Sequence, residues 1–88
     1  MANSYREELQ RLIEQLQVER DQIRLRLHLA KSELRDDWAK AERQWEGFRQ
    51  KSDRVLMELD QTGVEVKTTL KQLGEELKEG YRRIRRQL

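Results

Sequence analysis

An apolar side chain recurs every three or four residues along almost the whole chain. From Tyr5, 23 such steps span the 83 residues to Leu88, an average of about 3.6 residues per step, which is the period of a straight α-helix. Only Glu19, Ser52 and Gly63 interrupt the apolar run. A chain with this spacing is restricted to helices that each bury one continuous apolar stripe.

The composition agrees with long helices. The 88 residues are 41% charged and 35% hydrophobic and include no proline, a bias typical of coiled coils rather than of mixed domains. So small a hydrophobic fraction supports at most one compact unit.

Residues 23–30, IRLRLHLA, form the one segment that conflicts with this pattern. Apolar and polar residues alternate there with a period of two, which taken alone fits a half-buried strand. Helical spacing on both sides, without Gly or Pro, favours a helix instead. In a helix, Leu25 and Leu29 lie nearly opposite Ile23 and Leu27, which indicates a neighbourhood of three or four helices.

Few residues mark helix starts and ends. Ser4 followed by Glu7 fits a capping box and predicts the start of the first helix, and Thr62 followed by Glu65 predicts a second start. Gly63 fits the left-handed residue that follows a helix end. The signals at Thr62, Gly63 and Glu65 agree on one turn in the last third of the chain.

We place this predicted turn near residues 60–64. The apolar stripe nevertheless passes through Gly63 without a change of phase, which is what a helix continuous through residue 63 would show. With the turn, the expected architecture is all-α. A long helix over 4–61 and a shorter helix over 63–87 form a helical hairpin or coiled coil that oligomerises.

A further turn near residues 35–37 gives the alternative architecture, a three-helix bundle. Asp36 and Asp37 precede WAKAERQW there, as acidic residues do in a first helical turn. No glycine or proline accompanies them.

Residues 1–88 are expected to form a single helical coiled-coil unit, with a long amphipathic helix over 1–61 and a C-terminal amphipathic helix over 62–88. The second part contains an eleven-residue repeat, GVEVKTTLKQL followed by GEELKEGYRRI, a spacing that keeps one face of a nearly straight helix apolar. Gly63 and Gly74 begin the two copies, and we expect a neighbouring backbone or an acyl chain to approach closely there.

No catalytic, cofactor-binding or metal-binding residue is predicted. His28 is the only histidine and there is no cysteine, which excludes thiolate chemistry and the usual zinc ligand sets. Carboxylate pairs such as Asp36 and Asp37 have basic residues three or four positions away, which indicates solvated ion pairs on helix faces. We therefore expect a protein that is not an enzyme and needs no cofactor.

The apolar stripe is the predicted surface for self-association. In a long helix, its first 30 residues have nothing in the same chain to cover them, so the expected partner is a second copy or another helical protein. Trp38, Trp45 and Phe48 are expected at the bulky centre of the core. We call the following set the seam: Leu9, Leu12, Leu16, Ile23, Leu27, Leu34, Trp38, Trp45, Phe48, Val55 and Leu59.

The C-terminal helix ends in the arginine cluster RRIRR, residues 82–86. Arginines are favoured at a helix C-terminus by the macrodipole, and they also fit an anionic membrane surface or an acidic protein partner. Nucleic acid is disfavoured because interleaved aromatic residues are missing. The candidate surface for a membrane or another anionic partner consists of Val66, Leu70, Leu73, Leu77, Tyr81, Arg82, Arg83, Ile84, Arg85 and Arg86.

The first residues, MANSYREEL, lack the basic and apolar regions of a signal peptide. No run approaches the roughly 20 apolar residues that a membrane span requires. We expect a cytoplasmic protein, with peripheral membrane association as the alternative.

The segment LKQLGEELKEGY, together with the polar helix YREELQRLIEQL, resembles a loosely defined group of short, highly charged bacterial coiled-coil proteins of uncharacterised function. The eleven-residue repeat is also similar to apolipoprotein-like helices. The resemblance to the bacterial coiled-coil proteins implies a non-enzymatic helical protein, in some cases associated with stress. The expected function is an interaction or scaffold module that self-associates through the seam, with reversible membrane-surface binding by the C-terminal helix as the alternative.

Overall fold

The chain folds into helices throughout the part that the structure describes. The computed structural model describes residues 2–29, 31–58 and 63–88, and the side chains of residues 4–28, 31–58 and 63–88. Helix α1 spans Ala2–Arg26 and continues into one 3₁₀ turn at Leu27–Leu29, α2 spans Ser32–Met57, and α3 spans Val64–Arg86. The three α-helices pack against each other, and the described residues include no strand, so the all-α prediction is confirmed.

Hydrogen bonds from side chains fix the direction of each helix. On α1, Arg6 donates to the backbone carbonyl of Leu56 and Arg20 donates to the carboxylate of Glu42. Residue numbers on α2 therefore fall as those on α1 rise. These two helices are therefore antiparallel.

Helix α3 runs in the same direction as α1. Tyr5 packs against Lys67, and Glu19 lies 3.6 Å from Arg85, so both numbers rise together. The result is an up-down-up arrangement with extents of 44 × 17 × 17 Å, so the long dimension exceeds the roughly 38 Å of a 25-residue helix at about 1.5 Å per residue by only a few ångströms.

All three helices contribute to one hydrophobic core. Along α1 the buried residues are spaced by four, three and seven, as expected when one helical face is covered. Full burial of each large apolar side chain stabilises the fold by about 1.5–3 kcal/mol. The core consists of Leu9, Ile13, Leu16, Ile23, Leu34, Ala41, Trp45, Phe48, Val55, Leu70, Leu77, Tyr81 and Ile84.

The helix predicted over 4–61 is divided in the structure. Its first part ends at Arg26 and its second begins at Ser32, and Lys31 has the extended angles φ −68° and ψ 158°. A straight helix of that length would extend about 85 Å and leave its apolar stripe uncovered, whereas the turn lets α2 and α3 cover α1.

The turn between α1 and α2 comes before the position predicted for it. The alternative architecture places a turn near residues 35–37, but Asp36 and Asp37 lie inside α2, beyond its first turn. Helix α3, by contrast, agrees with the predicted 63–87 to within one residue at each end.

Two predicted helix ends are wrong. Ser4 lies inside α1, so it lacks the non-helical backbone that a capping residue needs. Gly63 has φ −77° and ψ 165° and immediately precedes α3, so it is extended rather than left-handed. The predictions that involve Thr62 and the predicted seam residue Leu59 lie outside the described residues.

Candidate functional site

Most of the seam is buried within the chain itself. Leu12, Leu27 and Trp38 are partly buried. Sequence reasoning placed Leu12 rather than its neighbour Ile13 on the stripe, yet Ile13 is the more deeply buried of the two. The buried seam residues are Leu9, Leu16, Ile23, Leu34, Trp45, Phe48 and Val55.

Gly74 lies where a side chain of α1 packs closely against α3. A Cβ atom at this position would lie 2.7 Å from Leu12 Cδ2 and 3.5 Å from Phe48 Cε2. A close approach is therefore present at Gly74, but the approaching groups are the side chains of Leu12 and Phe48 rather than a backbone. The prediction is wrong at Gly63, where a Cβ atom would meet nothing within 4 Å among the described residues.

A polar cluster joins α1 to α2 next to the core. Arg20 Nε donates to Glu42 Oε1 at 2.6 Å, and Arg20 Nη2 donates to Glu42 Oε2 at 2.8 Å. The guanidinium carbon lies 5.8 Å from the centre of the Trp45 ring. Hydrogen bonding to Glu42 raises the pKa of Arg20, which is the effect expected when the charged form is the one that is bound.

Tyr81 brings α3 into this cluster. Its side chain is completely buried, its ring centre lies 6.1 Å from that of Trp38, and its hydroxyl has no hydrogen-bond partner among the described residues. Burial, followed by the negative charge of Glu42, raises the pKa of Tyr81 far above its ordinary value of 10. The phenol is therefore held neutral and out of reach of solvent.

Glu19 completes the polar cluster on the α1 side. Its Oε1 lies 3.6 Å from Arg85 Nη2, whereas its Oε2 is buried without a hydrogen-bond partner among the described residues. Glu19 and Arg20 both point toward other helices, so the cluster fixes the alignment of α1 with α2 and α3. Sequence analysis treated Glu19 only as an interruption of the stripe.

The three helices place many basic residues at one end of the molecule. The ends of α1 and α3 and the start of α2 lie there, because the bundle runs up, down and up. Residues 20–28, 31–40 and 79–88 carry ten basic and five acidic side chains, net +5, whereas residues 2–19, 41–58 and 63–78 carry nine and eleven, net −2. We call the first three ranges the basic end.

The predicted arginines lie on the surface of this basic end. Arg82 Nη1 donates to Glu79 Oε1 at 2.8 Å, and Arg83 and Arg86 are also exposed. Arg24, Arg26 and Lys31 join them through the fold. Linear sequence analysis could not find these additions, because their position depends on the turn between α1 and α2.

The apolar half of the predicted membrane surface is mostly inside the core. Leu70, Leu77, Tyr81 and Ile84 are at most 3% exposed, and Leu73 is partly buried. Only Val66, at 46%, is exposed. The basic part of the predicted membrane surface is therefore exposed to solvent, whereas most of its apolar part is buried.

The described residues form neither a metal-binding cluster nor a membrane-spanning helix. His28 is exposed in the 3₁₀ turn, and no group of three or more His, Cys, Asp or Glu side chains in residues 2–29, 31–58 and 63–88 could hold a metal ion. Within the same residues, no helix combines the length and apolarity needed to cross a membrane.

The described residues form an all-α helical bundle. Comparisons with known proteins do not assign this bundle to a family. No protein-family model, curated protein or solved structure matches the chain.

Proposed function

We propose that the chain is a non-enzymatic helical interaction or scaffold module that self-associates through its seam. The observation that carries this proposal is the complementarity of the helices. Leu9, Leu16 and Ile23 on α1 are buried because α2 and α3 cover them. Since a second copy offers the same α2 and α3 surfaces, the same contacts can form between chains.

The pairing of polar groups supports a non-enzymatic role. Arg20 binds both carboxylate oxygens of Glu42, so neither group is free to act on a substrate. The Tyr81 hydroxyl is buried, whereas a general acid or base must come within hydrogen-bond reach of the reacting group. A cytoplasmic location belongs to the same proposal.

Sedimentation equilibrium across a wide concentration range tests self-association. We expect the average mass to rise above 10.7 kDa as concentration increases, with unchanged helicity by circular dichroism. A chain that stays monomeric and fully helical up to the solubility limit would refute this proposal. Leu16→Ala removes a buried seam side chain and should therefore lower the free energy of unfolding whether its contacts lie within one chain or between two, while exposed Gln17→Ala on the same helix serves as the control.

The second candidate function is reversible binding of α3 to an anionic membrane surface. Its support is the net charge of +5 at the basic end, which is attracted to acidic lipids. Because Leu70, Leu77 and Ile84 are buried, α3 must leave the bundle before its apolar face can enter the interface.

Vesicle co-sedimentation with the full chain tests this candidate. We expect binding to vesicles of phosphatidylglycerol and phosphatidylcholine, none to phosphatidylcholine alone, and a shift in tryptophan emission because Trp38 loses its contact with Tyr81. Binding without any change in tryptophan emission would show attachment through charge alone, without release of α3. Absence of binding at low salt would exclude the membrane candidate.

A further inference from the structure

The turn between α1 and α2 is weakly encoded in the local sequence. Lys31 occupies the capping position of α2 without a side-chain hydrogen bond, although Ser, Thr, Asp and Asn are the residues that stabilise this position. Ser32, which could cap, lies one residue later, inside the helix. The segment 27–31, LHLAK, contains neither glycine nor proline, so its residues are compatible with a continuous helix.

The apolar stripe also continues in phase across this turn. Ile23, Leu27 and Leu34 are spaced by four and seven residues, so they share one face of any helix that runs from α1 into α2. The 3₁₀ turn Leu27–Leu29 follows α1 directly, and Lys31, immediately before α2, has extended angles. Folding back is therefore favoured by packing of α1 on α2 and α3 rather than by the turn itself.

We propose that the partner in self-association is a second copy that exchanges helix α1. In this dimer, residues 2–57 of each chain form one helix, and α1 of each chain packs on α2 and α3 of the other. The inference rests on the proposed self-association and specifies its route. The exchange is reciprocal, so two copies close the assembly and leave no seam exposed.

Every contact of α1 is retained in the exchanged dimer. The Arg20–Glu42 pair, the Leu12–Gly74 contact and the hydrogen bond from Arg6 to the Leu56 carbonyl all form between chains instead of within one. The free-energy difference between the monomer and the exchanged dimer then comes from the conformation of the 27–31 segment and from the entropy cost of association. Domain exchange of this kind needs no new complementary surface.

Electrostatics makes the dimer sensitive to salt. When α1 extends straight from α2, it passes beyond the basic end of its own α2 and α3, so the basic ends of the two bundles face each other at the centre. Each carries a net charge of +5, and like charges repel. Screening by salt therefore favours the exchanged dimer, which is the opposite of an association between oppositely charged surfaces.

Ser32→Pro tests the straightened helix. Proline is favoured at the first helical position, and Lys31 already has the extended angles that a residue before proline requires. In a continuous helix the same proline removes a hydrogen bond and clashes with the preceding turn. We expect Ser32→Pro to retain the helicity of the monomer and to weaken dimerisation about hundredfold or more. Ser32→Ala, the matched control, should leave dimerisation unchanged or strengthen it.

A disulfide trap distinguishes exchange from other modes of association and does not depend on Ser32→Pro folding. The chain has no cysteine, so Leu12→Cys with Gly74→Cys introduces a single pair at a contact between α1 and α3. Oxidation of the dimer fraction should yield covalent dimers on a non-reducing denaturing gel, in a proportion that rises with salt. Covalent monomers from that fraction would overturn the exchange while leaving self-association standing, and a wild-type chain that never dimerises would overturn both.

Discussion

Arg20 on α1 holds Glu42 on α2 through two hydrogen bonds, at 2.6 and 2.8 Å. The pair is partly buried, with the Arg20 side chain 18% exposed and that of Glu42 30% exposed, and it lies against the Trp45 ring. Hydrogen bonds between charged groups in such a setting stabilise more than exposed ion pairs do. The alignment of α1 with α2 therefore depends on a polar contact as well as on the core.

Replacing Glu42 tests the strength of this contact. Glu42→Gln should lower the free energy of unfolding by about 1–2 kcal/mol, because Arg20 loses a charged acceptor. Glu46→Gln, an exposed change one turn away on the same helix, should shift the stability by less than about 0.5 kcal/mol. Urea unfolding followed by circular dichroism measures both. Equal effects from the two variants would show that the Arg20–Glu42 pair contributes no more than a surface charge.

Gly74 and Gly80 form a matched pair for helix packing, because both lie inside α3. Gly80→Ala should stabilise the protein by about 1 kcal/mol, since alanine is the better helix former and, apart from the local helix backbone, the described residues place nothing within 4 Å of the added Cβ. Gly74→Ala gains the same propensity but forces Leu12 to move from a position 2.7 Å away. We expect Gly74→Ala to be less stable than Gly80→Ala by about 1–3 kcal/mol. Thermal unfolding of the two variants should reveal the difference, and equal stabilities would contradict the close approach of Leu12.

Tyr81 should make the stability fall at high pH. Its pKa in the folded chain is raised above the unfolded value near 10, so the unfolded chain releases the phenolic proton first. The stability from the neutral phenol is full below pH 10 and is lost as pH rises toward the folded pKa. Absorbance titration near 295 nm should show Tyr81 ionising only as the helices unfold.

Tyr81→Phe separates the ring from its hydroxyl. Because no described residue forms a hydrogen bond with the buried hydroxyl, its removal should leave stability unchanged or increase it by about 1 kcal/mol and should reduce the loss of stability above about pH 10. Tyr5→Phe, at a half-buried position, is the control. A marked loss of stability in Tyr81→Phe would mean that the hydroxyl is hydrogen-bonded.

The helices could be predicted from the sequence because their apolar period is regular. The prediction for α3 was accurate to one residue at each end, since a glycine precedes it and the stripe continues to its end. The break before Ser32 could not be predicted, because Lys31 is not a typical capping residue and no glycine or proline lies nearby. Its position is set by packing among the three helices.

The polar features needed three-dimensional information. Leu12 and Ile13 are adjacent apolar residues, so the period alone could not decide which of them faces the core. In the sequence, Glu19 interrupts the apolar stripe. In the structure, its carboxylate lies 3.6 Å from the guanidinium group of Arg85 on α3. The basic end combines residues from all three helices, and only the up-down-up order brings them together.

Small-angle X-ray scattering coupled to size-exclusion chromatography shows whether a chain that covers its own seam also self-associates. For a dilute sample we expect a mass of 10.7 kDa and a radius of gyration close to the 14.2 Å of the Cα atoms. For a concentrated sample at high salt we expect twice that mass and an elongated particle. A mass of 10.7 kDa at every concentration and salt condition would rule out self-association.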